Sequence, residues 1–131
     1  MSIVMQLQEL YAPKEYWKLS LETKKAVVNG CGAGSALFDF VPDNILGLDI
    51  SECCNIHDYM YHVGETNEDK LEADRVFLNN LVRTIDKNTS WKWIRKRRKK
   101  IAYVYYKAVS KFGGPAFWDE KNNEDNFKCH L

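Results

Sequence analysis

An aspartate set inside an apolar helical stripe is the strongest constraint in this chain. At about 100° per residue, Leu71, Leu78, Leu81, Val82 and Ile85 fall on one side of a helix, and Asp74 falls among them. An ionised carboxylate in that position costs several kcal/mol unless it is paired and hydrogen-bonded. The preceding segment offers a partner. Ile50, Cys53, Cys54, His57, Met60 and Tyr61 share one side of a helix that Gly64 stops, and Thr66 with Asn67 restarts the chain. Folded back antiparallel at that joint, the two helices bring His57 and Asp74 level, with Tyr61 one turn beyond the histidine. The blander arrangement leaves Asp74 at the edge of the stripe, or bonded to a tyrosine hydroxyl in a purely structural role.

The rest of the chain is organised around this pair. A third helix, roughly Lys92 to Phe112, places Ile94, Ile101, Tyr105, Ala108, Val109 and Phe112 on one face, and Gly113-Gly114-Pro115 ends it. Residues 1 to 28 read as an arm with one or two short helices, Pro13 suiting a helix start and Ser20 a cap for Leu21 to Val28. Gly30-Cys31-Gly32-Ala33-Gly34 breaks regular structure. Ala36 to Leu48 reads as an irregular connection, Asp86 to Ser90 as a turn, and Ala116 to Leu131 as a looping tail. No strand pair is legible. The expected fold is therefore mainly α, one small domain over residues 1–131. It has two antiparallel core helices, a Gly-rich loop and a third, basic amphipathic helix.

Composition removes several classes. With 131 residues, 45% apolar and 28% charged, the chain fits one compact domain with a core and not a disordered one. The net charge of +1 points to no particular partner. No apolar run approaches the roughly 20 residues that span a bilayer, and Met1 to Lys25 has no legible secretory signal. A transmembrane protein, a fibre and a repeat array are excluded. Cys31, Cys53, Cys54 and Cys129 allow three pairings, a metal site or four free thiols. The absence of any C-x-x-C argues against structural zinc.

A lone histidine on an apolar face is more often a satisfied core residue than a catalyst. A histidine gripped by a buried carboxylate is different, because the carboxylate fixes its tautomer and stabilises the imidazolium. Such a group is a general base with a pKa near neutrality, starting from about 6.5. No serine or cysteine is evidently placed as nucleophile, so water is its natural substrate. Asp58, rotated towards the helix edge, is a candidate ligand for a hard cation. Calcium takes about six to eight oxygens, many of them backbone carbonyls, and the Gly30–Gly34 loop can turn several inwards. The same loop lacks the Lys-Ser/Thr of a phosphate-binding P-loop.

Gly30-Cys31-Gly32-Ala33-Gly34 followed by Cys53-Cys54-Asn55-Ile56-His57-Asp58-Tyr59-Met60-Tyr61 resembles the secreted phospholipase A2 signature, a C-G-x-G calcium loop and a C-C-x-x-H-D-x-C-Y helix. Ala73-Asp74-Arg75-Val76-Phe77 is similar to the helix that supplies the family's second aspartate. The short spacing from His57 to Asp74 is like that of the compact bacterial, fungal and viral branches. The resemblance covers roughly Val28 to Leu81. It implies calcium-dependent hydrolysis of the sn-2 ester of glycerophospholipids, releasing a fatty acid and a lysophospholipid. His57 would activate water, Asp74 would orient His57, Tyr61 would bond Asp74, and the Gly32 N–H would stabilise the oxyanion. Calcium would be held by the Asp58 carboxylate and the carbonyls of Gly30, Gly32 and Gly34. The resemblance also implies a Cys31–Cys54 bridge, with Cys53–Cys129 as the accompanying expectation and four reduced thiols as the alternative. Three positions depart from the family: Met60 replaces a cysteine, Ser35 a glycine, and Gly30 a common tyrosine.

Trp91 to Lys100 carries seven basic residues in ten. The run reads as a solvated face, as a nucleic-acid patch, or as an attractor for anionic bilayers with Trp91 or Trp93 in the interface. For a lipid hydrolase the last is attractive, and Lys96, Lys99 and Lys100 would carry it. Tyr16, Trp17, Leu19, Phe38, Phe40 and Val41 read as core or as the lining of an acyl channel. Two other functions compete: a catalytically silent binding or toxin-like module of the same fold, and a basic nucleic-acid-binding helical domain. Extracellular calcium sites work at roughly 10⁻⁴ to 10⁻³ M, so a secreted or otherwise exported location is expected, with the cytoplasm as the alternative. The sequence sets no oligomeric state.

Overall fold

The structure, a computed structural model, describes residues 3–5, 9–23 and 41–122. Two antiparallel helices form its centre, α2 (Ser51–Val63) and α3 (Asn67–Asn88), following a single-turn α1 (Lys14–Trp17). A third long helix, α4 (Lys92–Phe112), packs along α3, and α5 (Gly114–Asn122) closes against α2 and α4. The fold is mainly helical, as expected.

The joint between α2 and α3 is built from local chemistry. Gly64 caps α2 in an extended conformation, φ −67° and ψ 152°. A Cβ there would lie 2.9 Å from both the Met60 carbonyl oxygen and the Phe117 ring, so a side chain would hold α5 off the helix pair. Thr66 then starts α3 with a reciprocal cap: its hydroxyl accepts from the Asp69 N–H at 3.1 Å, and the Asp69 carboxylate accepts from the Thr66 N–H at 3.1 Å.

The buried seam of α3 is displaced from the expected stripe. It consists of Lys70, Ala73, Asp74, Phe77, Asn80, Leu81 and Ile85, while Leu71 is 47% exposed and Leu78 and Val82 are only half-buried. Polar residues occupy this seam because each finds partners there. The Asn80 side chain accepts from the Tyr11 N–H at 2.7 Å and donates to the Tyr11 carbonyl at 2.8 Å, pairing with backbone as a strand would. That contact seats the N-terminal hairpin on α3.

Two short antiparallel pairs correct the expectation of no strands: β1 (Ile3–Met5) with β2 (Tyr11–Pro13), and β3 (Asn44–Ile45) with β4 (Leu48–Asp49). Segments of two or three residues carry too little alternation to be read as strands. The second hairpin lies in the stretch expected to be irregular. Positive φ at Leu46 (48°) and Gly47 (82°) gives the backbone twist of a two-residue hairpin turn. Arg98 of α4 grips it, donating to the carbonyls of Ile45 at 3.2 Å and Leu46 at 2.9 Å and to the Thr89 hydroxyl at 2.9 Å.

Three further features differ from expectation. Helix α3 continues to Asn88, through part of the segment read as a turn. Phe112, expected on the inner face of α4, is 56% exposed, whereas Ala102 and Val109 are buried. Gly113 ends α4 as expected, but the chain restarts at once as α5, so the expected looping tail is helical through Asn122, and its residues 123–131 lie outside the described residues. Phe117 explains the restart: it is fully buried, with its ring edge-on to Tyr61 at 5.3 Å. Ser20 does cap the turn after it, its hydroxyl accepting from the Thr23 N–H at 3.2 Å. Tyr16 and Val41 are core, and Trp17 and Leu19 pack against it. Phe38 and Phe40 lie outside the described residues.

Candidate active site

His57 and Asp74 meet across the α2–α3 seam. Nε2 of His57 lies 2.8 Å from Oδ1 of Asp74, and both side chains are essentially sealed, at 0% and 1% exposure. Tyr61, one turn along α2, donates its hydroxyl to the same Oδ1 at 2.6 Å. The imidazole is held between two rings, with centroids 4.2 Å from Tyr61 and 4.7 Å from Phe77. Ala73, fully buried beside Asp74, keeps the two helices close.

A residue that the sequence reading passed over completes the set. Lys70, one turn before Asp74, donates from Nζ to Oδ2 at 2.8 Å, and its side chain is 8% exposed. The signal was available: a lysine four positions from an aspartate already known to need partners. Three donors therefore converge on one carboxylate, and a neutral histidine, an aspartate and a lysine sum to no net charge. Such a cluster is compatible with burial, because each ion has a partner and hydrogen bonds.

Electrostatics fix the protonation pattern. Burial pushes the His57 pKa below its ordinary 6.5, against the hydrogen bond and charge of Asp74, and the Lys70 charge pushes it the same way. Burial alone would raise Asp74, but the bonds from His57, Lys70 and Tyr61 together hold its carboxyl below 3.8. An ionised Asp74 accepts only, so the proton of neutral His57 sits on Nε2, and Nδ1 is left as an acceptor. That Nδ1 is buried and has no hydrogen-bond partner among the described residues.

Both depressed pKa values act on stability with the same sign. The unfolded chain binds these protons before the folded one does, so stability is full above pH 6.5 and falls as acid titrates first His57 and then Asp74. Denaturant midpoints are expected to drop as the pH falls through and below 6.5. His57→Gln should flatten that part of the curve, and an equally steep drop in the variant would remove His57 as its source.

Gly113 guards the geometry from the far side. A Cβ there would sit 2.5 Å from the Tyr61 hydroxyl and against the Val109 carbonyl oxygen. Gly113→Ala is expected to displace Tyr61 from Asp74 and to destabilise the fold by about 1–3 kcal/mol. Urea unfolding checks this, and a variant of wild-type stability would contradict the packing.

Asp58 is buried on α2, 4% exposed, next to His57. As a hard oxygen donor beside His57 it has the chemistry for one position of a calcium site. No group of three His, Cys, Asp or Glu side chains able to hold a metal occurs among the described residues. The remaining ligands would have to be the carbonyls of Gly30, Gly32 and Gly34, which lie outside the described residues, as do Ser35 and the rest of that loop. Cys53 and Cys54 are buried free thiols; Cys31 and Cys129 lie outside the described residues. Burial raises the Cys53 thiol to about 11, and its sulfur lies 3.4 Å from the Thr84 hydroxyl.

The basic run of α4 divides by role. Arg98 holds the hairpin, Arg95 donates to the Thr89 carbonyl, and Lys99 pairs with Asp86 at 2.8 Å. Lys92, Lys96, Arg97 and Lys100 remain exposed. They share the outer surface with Trp93 (59% exposed), Tyr103 (50%) and Val104 (61%), and Trp91 (65%) precedes the helix. No described helix is long and apolar enough to cross a membrane. No family model, curated protein or solved structure matches this chain, so the site stands on its own geometry.

Proposed function

We propose that the protein is a calcium-dependent phospholipase A2, hydrolysing the sn-2 ester of glycerophospholipids. The observation that carries this reading is the buried His57, with Nε2 2.8 Å from Asp74 Oδ1 and Nδ1 without a hydrogen-bond partner among the described residues. As general base, Nδ1 takes a proton from water as the water oxygen attacks the ester carbonyl. Asp74 stabilises the imidazolium that forms, and His57 then returns the proton to the departing glycerol oxygen. The products are a fatty acid and a lysophospholipid, and the base is regenerated. The Gly32 N–H would donate to the oxyanion. Asp58 and the carbonyls of Gly30, Gly32 and Gly34 would hold calcium, which when bound supplies positive charge for the lipid phosphate and the developing oxyanion.

One observation favours the silent-module reading: the His57 ring is 0% exposed, so an ester reaches Nδ1 only after its cover is displaced. The deciding assay is fatty-acid release from phospholipid vesicles with calcium and with a chelator. Release that stops on chelation supports the hydrolase. No release at any calcium concentration supports the silent module.

The outer face of α4 suits an anionic bilayer surface, with lysines for the headgroups and Trp93, Tyr103 and Val104 for the interface. Peripheral binding of this kind adds on the order of 1 kcal/mol per basic residue. Reversing Lys96 and Lys100 together should weaken binding to anionic vesicles at least about tenfold. Lys99→Glu should do less, because Lys99 is already engaged by Asp86. Unchanged vesicle sedimentation at low salt would refute the surface, and preferential binding to duplex DNA would favour the nucleic-acid reading.

A further inference from the structure

We propose that Lys70 is a positioning residue that locks the Asp74 carboxylate in the rotation at which it holds His57, and that it takes its own position from the end of α4. The inference rests on the hydrolase reading only for its effect on turnover.

The two oxygens of Asp74 are served unequally. Oδ1 accepts from His57 and Tyr61, whereas Lys70 is the donor the geometry gives to Oδ2, at 2.8 Å. The terminal torsion of an aspartate is broad and roughly two-fold, so donors on one oxygen alone leave the group free to rock. A donor on each oxygen fixes the plane. Lys70 is itself fixed: an ammonium has three protons, and Nζ lies 2.8 Å from Asp74 Oδ2 and 3.4 Å from each of the Val109 and Ser110 carbonyl oxygens.

Those carbonyls belong to the last turn of α4, the negative end of its dipole, and that of Val109 also accepts from the Gly113 N–H at 2.8 Å. The lysine therefore bridges two negative groups, one on α3 and one at the α4 terminus. Ordinary helix stabilisation does not explain the pairing. The lysine precedes the acid, which is the less favourable order for an i,i+4 pair, and the pair is buried, not solvated. Because α4 also carries the exposed lysine and aromatic stripe, the catalytic carboxylate is registered on the helix proposed to meet the lipid.

The test compares wild type with Lys70→Met and Lys70→Arg by ¹⁵N NMR of His57 at one neutral pH, and by kcat and KM for fatty-acid release. Wild type should show a single Nε2–H tautomer whose proton exchanges slowly. In Lys70→Met that exchange should quicken at least about tenfold, and kcat should fall about ten- to a hundredfold with KM within about twofold. Lys70→Arg, which keeps charge and donors, should recover part of both. A merely structural lysine would lower stability and leave the His57 signals of the folded variant unchanged, which would overturn the proposal. Should Lys70→Met fail to fold, Lys70→Gln is read in the same way. The wild-type Lys70 Nζ protons provide a further check, because exchange as fast as that of a surface lysine would also overturn it. If folded wild type releases no fatty acid, the hydrolase reading falls, and the NMR comparison still decides the role of Lys70.

Discussion

His57→Gln is expected to cut fatty-acid release from phospholipid vesicles by about 10²- to 10⁴-fold, the share of a rate that a positioned general base supplies. Glutamine keeps part of what histidine does structurally: its amide N–H₂ still has the Asp74 carboxylate as an acceptor. It has no basic nitrogen, so nothing takes the proton from water. It also loses the ring contacts with Tyr61 and Phe77, so a moderate loss of stability should accompany the loss of turnover. Circular dichroism and a denaturation curve on the same sample separate the two effects. A folded variant that retains activity within about tenfold of wild type would remove His57 from the chemistry.

Asp74→Ala is expected to be the most destabilising single change at the site, by about 3–5 kcal/mol, the cost of breaking a buried ion pair from one side. The substitution strips acceptors from His57 Nε2, the Tyr61 hydroxyl and Lys70 Nζ at once, and it leaves the lysine charge in a site with 8% side-chain exposure. Removing both ions should hurt less than removing one. The double variant Lys70→Met, Asp74→Leu is therefore expected to be more stable than Asp74→Ala, because no uncompensated charge remains. Urea titration measures both, and adding Lys70→Met to Asp74→Ala itself separates the charge from the cavity, because the volume at position 74 is then unchanged. A loss below about 1 kcal/mol for Asp74→Ala would mean that the carboxylate does not hold the seam together.

The sequence made the central pair legible because Asp74 violated its surroundings. A charged residue in an apolar stripe demands a partner, and the helix period with the Gly64–Thr66 joint left His57 as the residue level with it. Tyr61 followed from the same period. Lys70 was passed over, because a lysine on a helix is by default a surface residue; its spacing from Asp74 was the one local signal, and the α4 carbonyls that complete its burial are remote in sequence. Asn80 was hidden for the same reason: its partners are backbone groups of Tyr11, sixty-nine positions away, and no periodicity reports them. The strands were too short to alternate. The restart at Gly114 depends on Phe117 filling a space beside Tyr61 and Gly64, which is a property of packing and not of the local segment. The basic run shows the limit of composition most plainly. Arg95, Arg98 and Lys99 are spent on Thr89, the hairpin and Asp86, and only the structure separates them from the lysines that remain free to meet a surface.

Whether His57 turns water into the nucleophile is tested most directly by hydrolysis in ¹⁸O-labelled water of vesicles whose sn-2 chain is isotopically marked, with calcium present. The expected result is marked fatty acid carrying one ¹⁸O in its carboxylate, an unlabelled lysophospholipid, and at least about a hundredfold less of both from His57→Gln. Folded protein that yields no sn-2 fatty acid, or that yields it equally well without His57, would contradict the mechanism at its centre.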